Sequence, residues 1–167
     1  IMLLKVKKPL RILEIGSAIG FSSSIMALNS DATIDTMERD LKMITECKKN
    51  HLDLGLIDRI TLIEGDALDT FEIVKDNKYD LIFIDAAKGQ YMKFFEKYAP
   101  LVPKGGVLYI DNMYMHGLSD LDIKEVPRRK RTMIRNLKTF SEWRMAHPDY
   151  QSAFFPVGEG LLNCLKR

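Results

Sequence analysis

The sequence predicts an α/β protein: an open, mostly parallel sheet with helices on both faces, closed by a C-terminal antiparallel hairpin. Three observations carry this. Short apolar runs alternate with helix-length stretches along most of the 167 residues. Most of those runs end on glycine or an acid. Near the end, two strand-like runs, Ala153–Val157 and Leu161–Leu165, flank Gly158-Glu159-Gly160, a hairpin signal. Repeated strand–helix units imply parallel strands with right-handed crossovers.

Taken in order, Arg11–Gly16 is an apolar run closed by glycine, and Gly20–Leu28 is helix-like and rich in Ser and Ala. Thr33–Glu38 alternates as a strand does. Asp40–Leu54 reads as a helix capped by Asp40 and stopped by Gly55. Ile60–Gly65 is a third strand, with a short helix predicted over Asp66–Asp76. Tyr79–Asp85 is a fourth strand, Gln90–Ala99 a helix ended by Pro100, and Val107–Asp111 a fifth strand. A polar loop precedes a long helix from about Pro127 to Ala146.

Composition narrows the class. With 46% apolar and 29% charged residues, the chain is an ordinary folded protein rather than a disordered one. Its length suits one domain, 1–167, with its own core. No apolar run approaches the roughly 20 residues that span a bilayer, so no membrane partner is expected. A net charge of +2 is too small to imply nucleic acid by itself. Cys47 and Cys164 show no metal or disulfide spacing, which predicts a reducing, cytoplasmic setting.

In such sheets ligands bind beyond the carboxyl ends of the strands, near the point where strand order reverses. The first strand ends Glu14-Ile15-Gly16-Ser17-Ala18-Ile19-Gly20. Its glycines allow a tight turn and close backbone approach, but the spacing is not GxGxxG, which argues against a dinucleotide site. A plain tight turn would read the same way. The second strand ends on Glu38, placed to accept from ribose hydroxyls; a charged helix start is the alternative. The third ends Glu64-Gly65-Asp66-Ala67, where an acid meets an adenine amine or caps a helix.

The fourth strand ends on Asp85 and the fifth on Asp111-Asn112. If these strands are neighbours, two carboxylates and an amide oxygen converge, and a hard cation such as Mg2+ would resolve the repulsion between the acids. Lys88, one turn past Asp85, would serve as a general base.

These blocks, LEIGSAIGFSSSIMA, TMERD, EGDAL, YDLIFIDAAKGQY and GGVLYIDNMYMHG, resemble the cation-dependent, S-adenosylmethionine-using O-methyltransferases of the catechol and caffeoyl-CoA type. The resemblance runs along nearly the whole chain and implies a Rossmann-like class I methyltransferase fold with a seven-stranded sheet. It implies that Glu14, Gly16 and Ser22 hold the methionine end of the cofactor, Glu38 the ribose, and Asp66 and Ala67 the adenine. Asp85, Asp111 and Asn112 would bind Mg2+, Asp85 would also lie near the cofactor's amino group, and Lys88 would take the acceptor's proton. Relatives carry a helical segment ahead of the first strand, where only Ile1–Pro9 stand here; the same resemblance implies a homodimer.

The C-terminal third resembles the branch of that family that methylates 5-hydroxyuridine at the tRNA wobble position. Arg128, Arg129, Lys130, Arg131, Arg135, Lys138 and Arg144 load one helix with cations suited to RNA phosphates, and Lys5, Lys7, Lys8, Lys48 and Lys49 would extend that surface. A solvated helix face is the plainer alternative. Trp143 and Tyr150 read as core rather than as base-stacking platforms. The three histidines, His51, His116 and His147, show no metal spacing. Two other readings remain open: a small phenolic or acyl-CoA acceptor, and a non-catalytic binding module of the same fold.

Overall fold

The computed structural model describes residues 1–115 and 117–167, with residue 88 described by its backbone alone. His116 and the Lys88 side chain therefore lie outside the described residues. Seven strands form one sheet: β1 (Arg11–Ile15), β2 (Thr33–Glu38), β3 (Ile60–Glu64), β4 (Leu81–Ile84), β5 (Val107–Ile110), β6 (Tyr150–Phe155) and β7 (Leu161–Lys166). Their spatial order is β3-β2-β1-β4-β5-β7-β6, with every pairing parallel except β5–β7 and β7–β6, so that β7 alone runs against the rest. The predicted architecture is thus observed.

The chain winds outward from β1 in one direction and from β4 in the other, so order reverses between them. Period-two alternation then divides the core. Ile82, Ile84, Leu108 and Ile110 face one layer, packed with Tyr91, Phe95 and Phe140. Leu81, Val107 and Tyr109 face the other, with Met26, Ala27 and Leu4. The helices covering these faces are α1 (Met2–Lys7), α2 (Phe21–Leu28), α3 (Leu41–Asp53), α4 (Tyr91–Tyr98) and α5 (Arg131–Ala146). The Asp40 side chain caps α3 by accepting from Lys42 and Met43 N–H at 2.9 and 3.1 Å.

Four expectations shift. Met2–Lys7 is helical, and its Leu4 is buried. No α-helix forms over 66–76; only Thr70–Ile73 makes a 3-10 turn. The reason lies in α4: Tyr98 Oη donates to the Ala67 carbonyl at 2.5 Å and Lys97 Nζ to the Leu68 carbonyl at 2.6 Å. Those are acceptors an α-helix would need for its own ladder. Strand β6 starts at Tyr150, three residues before the predicted run, and stops before Pro156, which has no N–H to pair.

The fourth correction concerns Arg144, expected on a cationic surface. It is 0% exposed. Its guanidinium carbon lies 4.2 Å from the Tyr150 ring centre and 4.4 Å from that of Phe95, and Nη2 donates to Ser152 Oγ at 3.2 Å. Aromatic faces stabilise the cation here in place of a carboxylate. Trp143 and Tyr150 belong to this core, as expected.

Gly16 joins the two halves of the sheet. Its φ is +97°, and a Cβ there would meet the Asp85 carbonyl carbon at 2.9 Å and Ala86 Cα at 3.2 Å. Gly16→Ala should therefore lower the melting temperature by several degrees. Strain of about 1–3 kcal/mol shifts a chain of this size by about 2–4 °C per kcal/mol. An unchanged melting temperature would show that the β1–β4 approach is slack.

Candidate active site

The site is assembled from five strand ends. After β1, the Gly16 and Ser17 amides both donate to the Met37 carbonyl, at 3.0 and 3.1 Å, which turns the chain over β2. Gly20, at φ +82°, starts α2. Glu14 is wholly buried beneath this turn. Its carboxylate accepts from Ser22 Oγ and, at 2.5 Å, from Thr36 Oγ1. Glu14 therefore meets the cleft through Ser22, which lines it. Burial pushes the Glu14 carboxyl up to about 7; the surrounding Ser22, Thr36 and Ser23 hydroxyls pull against that, while the Asp85 charge adds to it.

At the end of β2, Glu38 organises the neighbouring backbone. One oxygen accepts from the Ala18 amide at 2.8 Å, the other from the Arg39 and Asp40 amides at 2.8 and 2.9 Å. Ala18 is held at φ +46° by this arrangement. At the end of β3, Asp66 accepts from the Leu68 amide at 2.9 Å and pairs with Arg39 at 2.7 Å. Both contacts keep its carboxyl below the usual range. Gly16, Glu38, Asp66, Ala67 and Asp85 line one cleft together with Met37, Arg39 and Phe94. Phe94 escaped the sequence reading because it lies inside α4, and Arg39, within the TMERD block, because it reads as part of a charged helix start.

Strands β4 and β5 are neighbours, with Ile84 paired to Ile110, so Asp85 and Asp111 follow side by side. Asn112 Nδ2 donates to Asp85 Oδ1 at 2.5 Å. Asn112 sits at φ +61°, a left-handed conformation that Asn tolerates better than most side chains. Behind it, the buried Tyr91 hydroxyl donates to the Asp111 carbonyl at 2.8 Å. Burial first, then the Asp85 and Asp111 charges, push the Tyr91 phenol far above its ordinary value, so it stays a donor. Among the described residues no three of His, Cys, Asp or Glu cluster as a metal site. The donor set here is two carboxylates and an amide, the oxygen-rich set suited to a hard cation.

Asp85 and Asp111 also border a second cleft of about 480 Å³, floored by Phe83 and Tyr109 and flanked by Phe21, Ser22 and Leu161. Its lining is mostly apolar, with the two acids among a few polar groups. The sequence reading missed Phe83 and Tyr109, since both lie inside strands and read as core. No helix of the described residues is long and apolar enough to cross a membrane.

The sequence model of the O-methyltransferase family matches residues 1–167, and the chain belongs to that family. It is an S-adenosylmethionine-dependent O-methyltransferase of the caffeoyl-CoA and catechol type. The Medicago sativa caffeoyl-CoA O-methyltransferase is 30% identical, across 98% of this chain and 69% of that one. The Mycobacterium tuberculosis catechol O-methyltransferase is 30% identical across 74% and 58%. A Staphylococcus aureus crystal structure, described as a candidate caffeoyl-CoA O-methyltransferase, superposes with a TM-score of 0.94 at 39% identity, covering 99% of this chain and 80% of that one. A Podospora anserina methyltransferase bound to S-adenosylhomocysteine gives 0.89 at 28% identity, covering 99% and 75%.

Glu14 makes stability depend on pH. Its folded value, about 7, lies above the ordinary 4.5. The stabilisation is therefore full below about 4.5 and is lost as pH rises through 7. At about 1.4 kcal/mol per unit the loss is on the order of 3 kcal/mol. Glu14→Gln, which keeps the hydrogen-bonding shape, should flatten urea-unfolding stability across pH 4.5–7 and exceed the parent above it. An unchanged slope would assign the titration to another group.

Proposed function

We propose that this chain moves a methyl group from S-adenosylmethionine to an acceptor hydroxyl held at a Mg2+ site made by Asp85, Asp111 and Asn112. The observation that carries this is the convergence of those three side chains at the β4 and β5 ends, with Asn112 2.5 Å from Asp85. When bound, Mg2+ supplies Lewis acidity that favours the ionised hydroxyl and a template that fixes its direction.

The chain's own residues do the rest. Ser22, backed by Glu14, and the Gly16 turn would receive the methionine end of the donor. Glu38 would accept from the ribose hydroxyls with lone pairs its three backbone amides leave over. Asp66 and Ala67 would border the adenine. Lys88 opens the 3-10 turn after β4 and is proposed to take the acceptor's proton. Phe83 and Tyr109 would floor the acceptor and exclude water. Holding two reactants in line supplies a large part of the barrier reduction, on the order of 7–11 kcal/mol at best.

For the acceptor, we favour 5-hydroxyuridine at the tRNA wobble position, whose hydroxyl stands beside a carbonyl as the two oxygens of a catechol stand together. Helix α5 packs against the 88–90 turn, and the basic stretch Arg128–Arg131 leads into that helix. Arg128, Arg129 and Arg135 are exposed there. The second reading, a small phenol or acyl-CoA ester, is favoured by how the other cations are used. Arg131 donates to the Val126 and Lys124 carbonyls and Lys138 to the Leu121 carbonyl. Lys48 and Lys49 pair with Glu64 and Asp53.

Transfer of labelled methyl to tRNA bearing 5-hydroxyuridine, abolished by EDTA, is expected; transfer to catechol alone would select the second reading. Asp85→Ala should remove turnover, and full activity in that variant would sink the metal site. The triple change Arg128→Ala, Arg129→Ala, Arg135→Ala should weaken tRNA binding and reduce its salt slope by roughly 0.7 per lost contact, leaving catechol transfer intact.

A further inference from the structure

Behind the cofactor turn lies a cluster that the proposed chemistry does not use. Cys47, Asn50 and His51 stand at i, i+3 and i+4 on α3 and so share one face. Cys47 and His51 are buried. Asn50 Nδ2 donates to the Ile19 carbonyl at 2.8 Å. Cys47 Sγ lies 3.7 Å from Ser17 Oγ and 3.7 Å from His51 Nε2. His51 Nε2 lies 3.0 Å from Ser23 Oγ. Apart from the Cys47–His51 contact within α3, these reach Ser17 and Ile19 in the donor turn and Ser23 in the first turn of α2.

The fit is close. A Cβ on Gly20 would come within 2.6 Å of His51 Nε2 and 2.8 Å of Cys47 Sγ, so the turn rests directly on α3. Ser23 and Ser24 Oγ both donate to the Gly20 carbonyl, at 3.2 and 2.6 Å. Ser22, the residue before Ser23 on α2, is held by Glu14. A polar path therefore runs from α3 through His51 and Ser23 to the Gly20 carbonyl, at the start of the helix that carries Ser22 to the cleft. Burial holds the His51 ring below its ordinary pKa, so near neutral pH it is an uncharged donor and acceptor that matches these partners.

We propose that this α3 face is a brace for the donor-binding turn, and that His51 is a positioning residue for S-adenosylmethionine acting through Ser23, Gly20 and Ser22. The proposal rests on reading the Gly16–Ser22 turn as the methyl-donor site. Without the ring's hydrogen bond, Ser23 and the start of α2 lose their lateral support, and Ser22 with them. On the acceptor side, Tyr91 holds the Asp111 carbonyl and Asn112 the Asp85 carboxylate, neither through α3. Although Ser22 also flanks the cleft beside Asp85 and Asp111, the lost support lies under the donor turn, so the effect should fall chiefly on the donor.

The test compares His51→Phe, which keeps a ring and loses the hydrogen bond, with His51→Gln, whose amide nitrogen reaches the Nε2 position. S-adenosylhomocysteine affinity is measured by calorimetry and methyl transfer by steady-state kinetics. His51→Phe should bind roughly ten-fold more weakly and raise KM for S-adenosylmethionine by the same factor, the effect of one hydrogen bond. Its kcat and acceptor KM should stay within two-fold, and His51→Gln should recover most of the loss. If His51→Phe does not fold, Asn50→Ala should show the same donor-only shift at smaller size. Parent-like affinity in His51→Phe, no recovery in His51→Gln, or a fall in kcat without a change in donor KM would each overturn the brace. A parent chain that binds no S-adenosylhomocysteine would overturn the underlying site reading instead.

Discussion

The close passage of Gly16 over the Asp85 backbone is the constraint on which the site depends. Strand order reverses between β1 and β4, and the chain leaving β1 must turn across the carboxyl end of β4. No side chain fits there, and φ at Gly16 is positive. Because that approach is tight, the donor turn and the first proposed metal ligand form one piece of backbone. Glu38, Met37 and Ser22 then anchor that turn from neighbouring elements, through backbone amides and a buried carboxylate. Substrate-positioning geometry of this kind is worth most when its supports are themselves rigid.

A second constraint is electrostatic. Parallel pairing of β4 and β5 leaves Asp85 and Asp111 adjacent, and two carboxylates at such a distance resist sharing a negative charge. The protein does not separate them. It places an amide against Asp85, holds the Asp111 carbonyl with Tyr91, and keeps Asn112 in a left-handed conformation that aims its side chain into the pair. That arrangement keeps the oxygens together at the mouth of an aromatic-floored cleft.

Much of this was legible in the residue order because strand ends carry their chemistry locally. Glu38, Asp66, Asp85 and Asp111 each follow an apolar run, and the fold's own rule says what shares a sheet edge. The failures share a different cause. Arg144 reads as a surface cation because nothing local shows that Phe95 of α4 and Tyr150 of β6 fold over its guanidinium. The 66–76 stretch reads as a helix because nothing local shows that Tyr98 and Lys97 take its carbonyls. What the sequence does not show of Glu14 is its burial, which only the packing of Thr36 and Ser22 around it reveals. Cys47 and His51 read as scattered because their common partner is a turn on another element.

The most direct measurement is a Mn2+ titration followed by electron paramagnetic resonance on the parent chain, Asp85→Asn and Asp111→Asn, with S-adenosylhomocysteine affinity measured alongside. The account predicts one specific ion per parent chain. It predicts loss of that ion in either variant, with S-adenosylhomocysteine still bound by Asp111→Asn. Undiminished ion binding in both variants would contradict the claim that the β4 and β5 ends form one metal site.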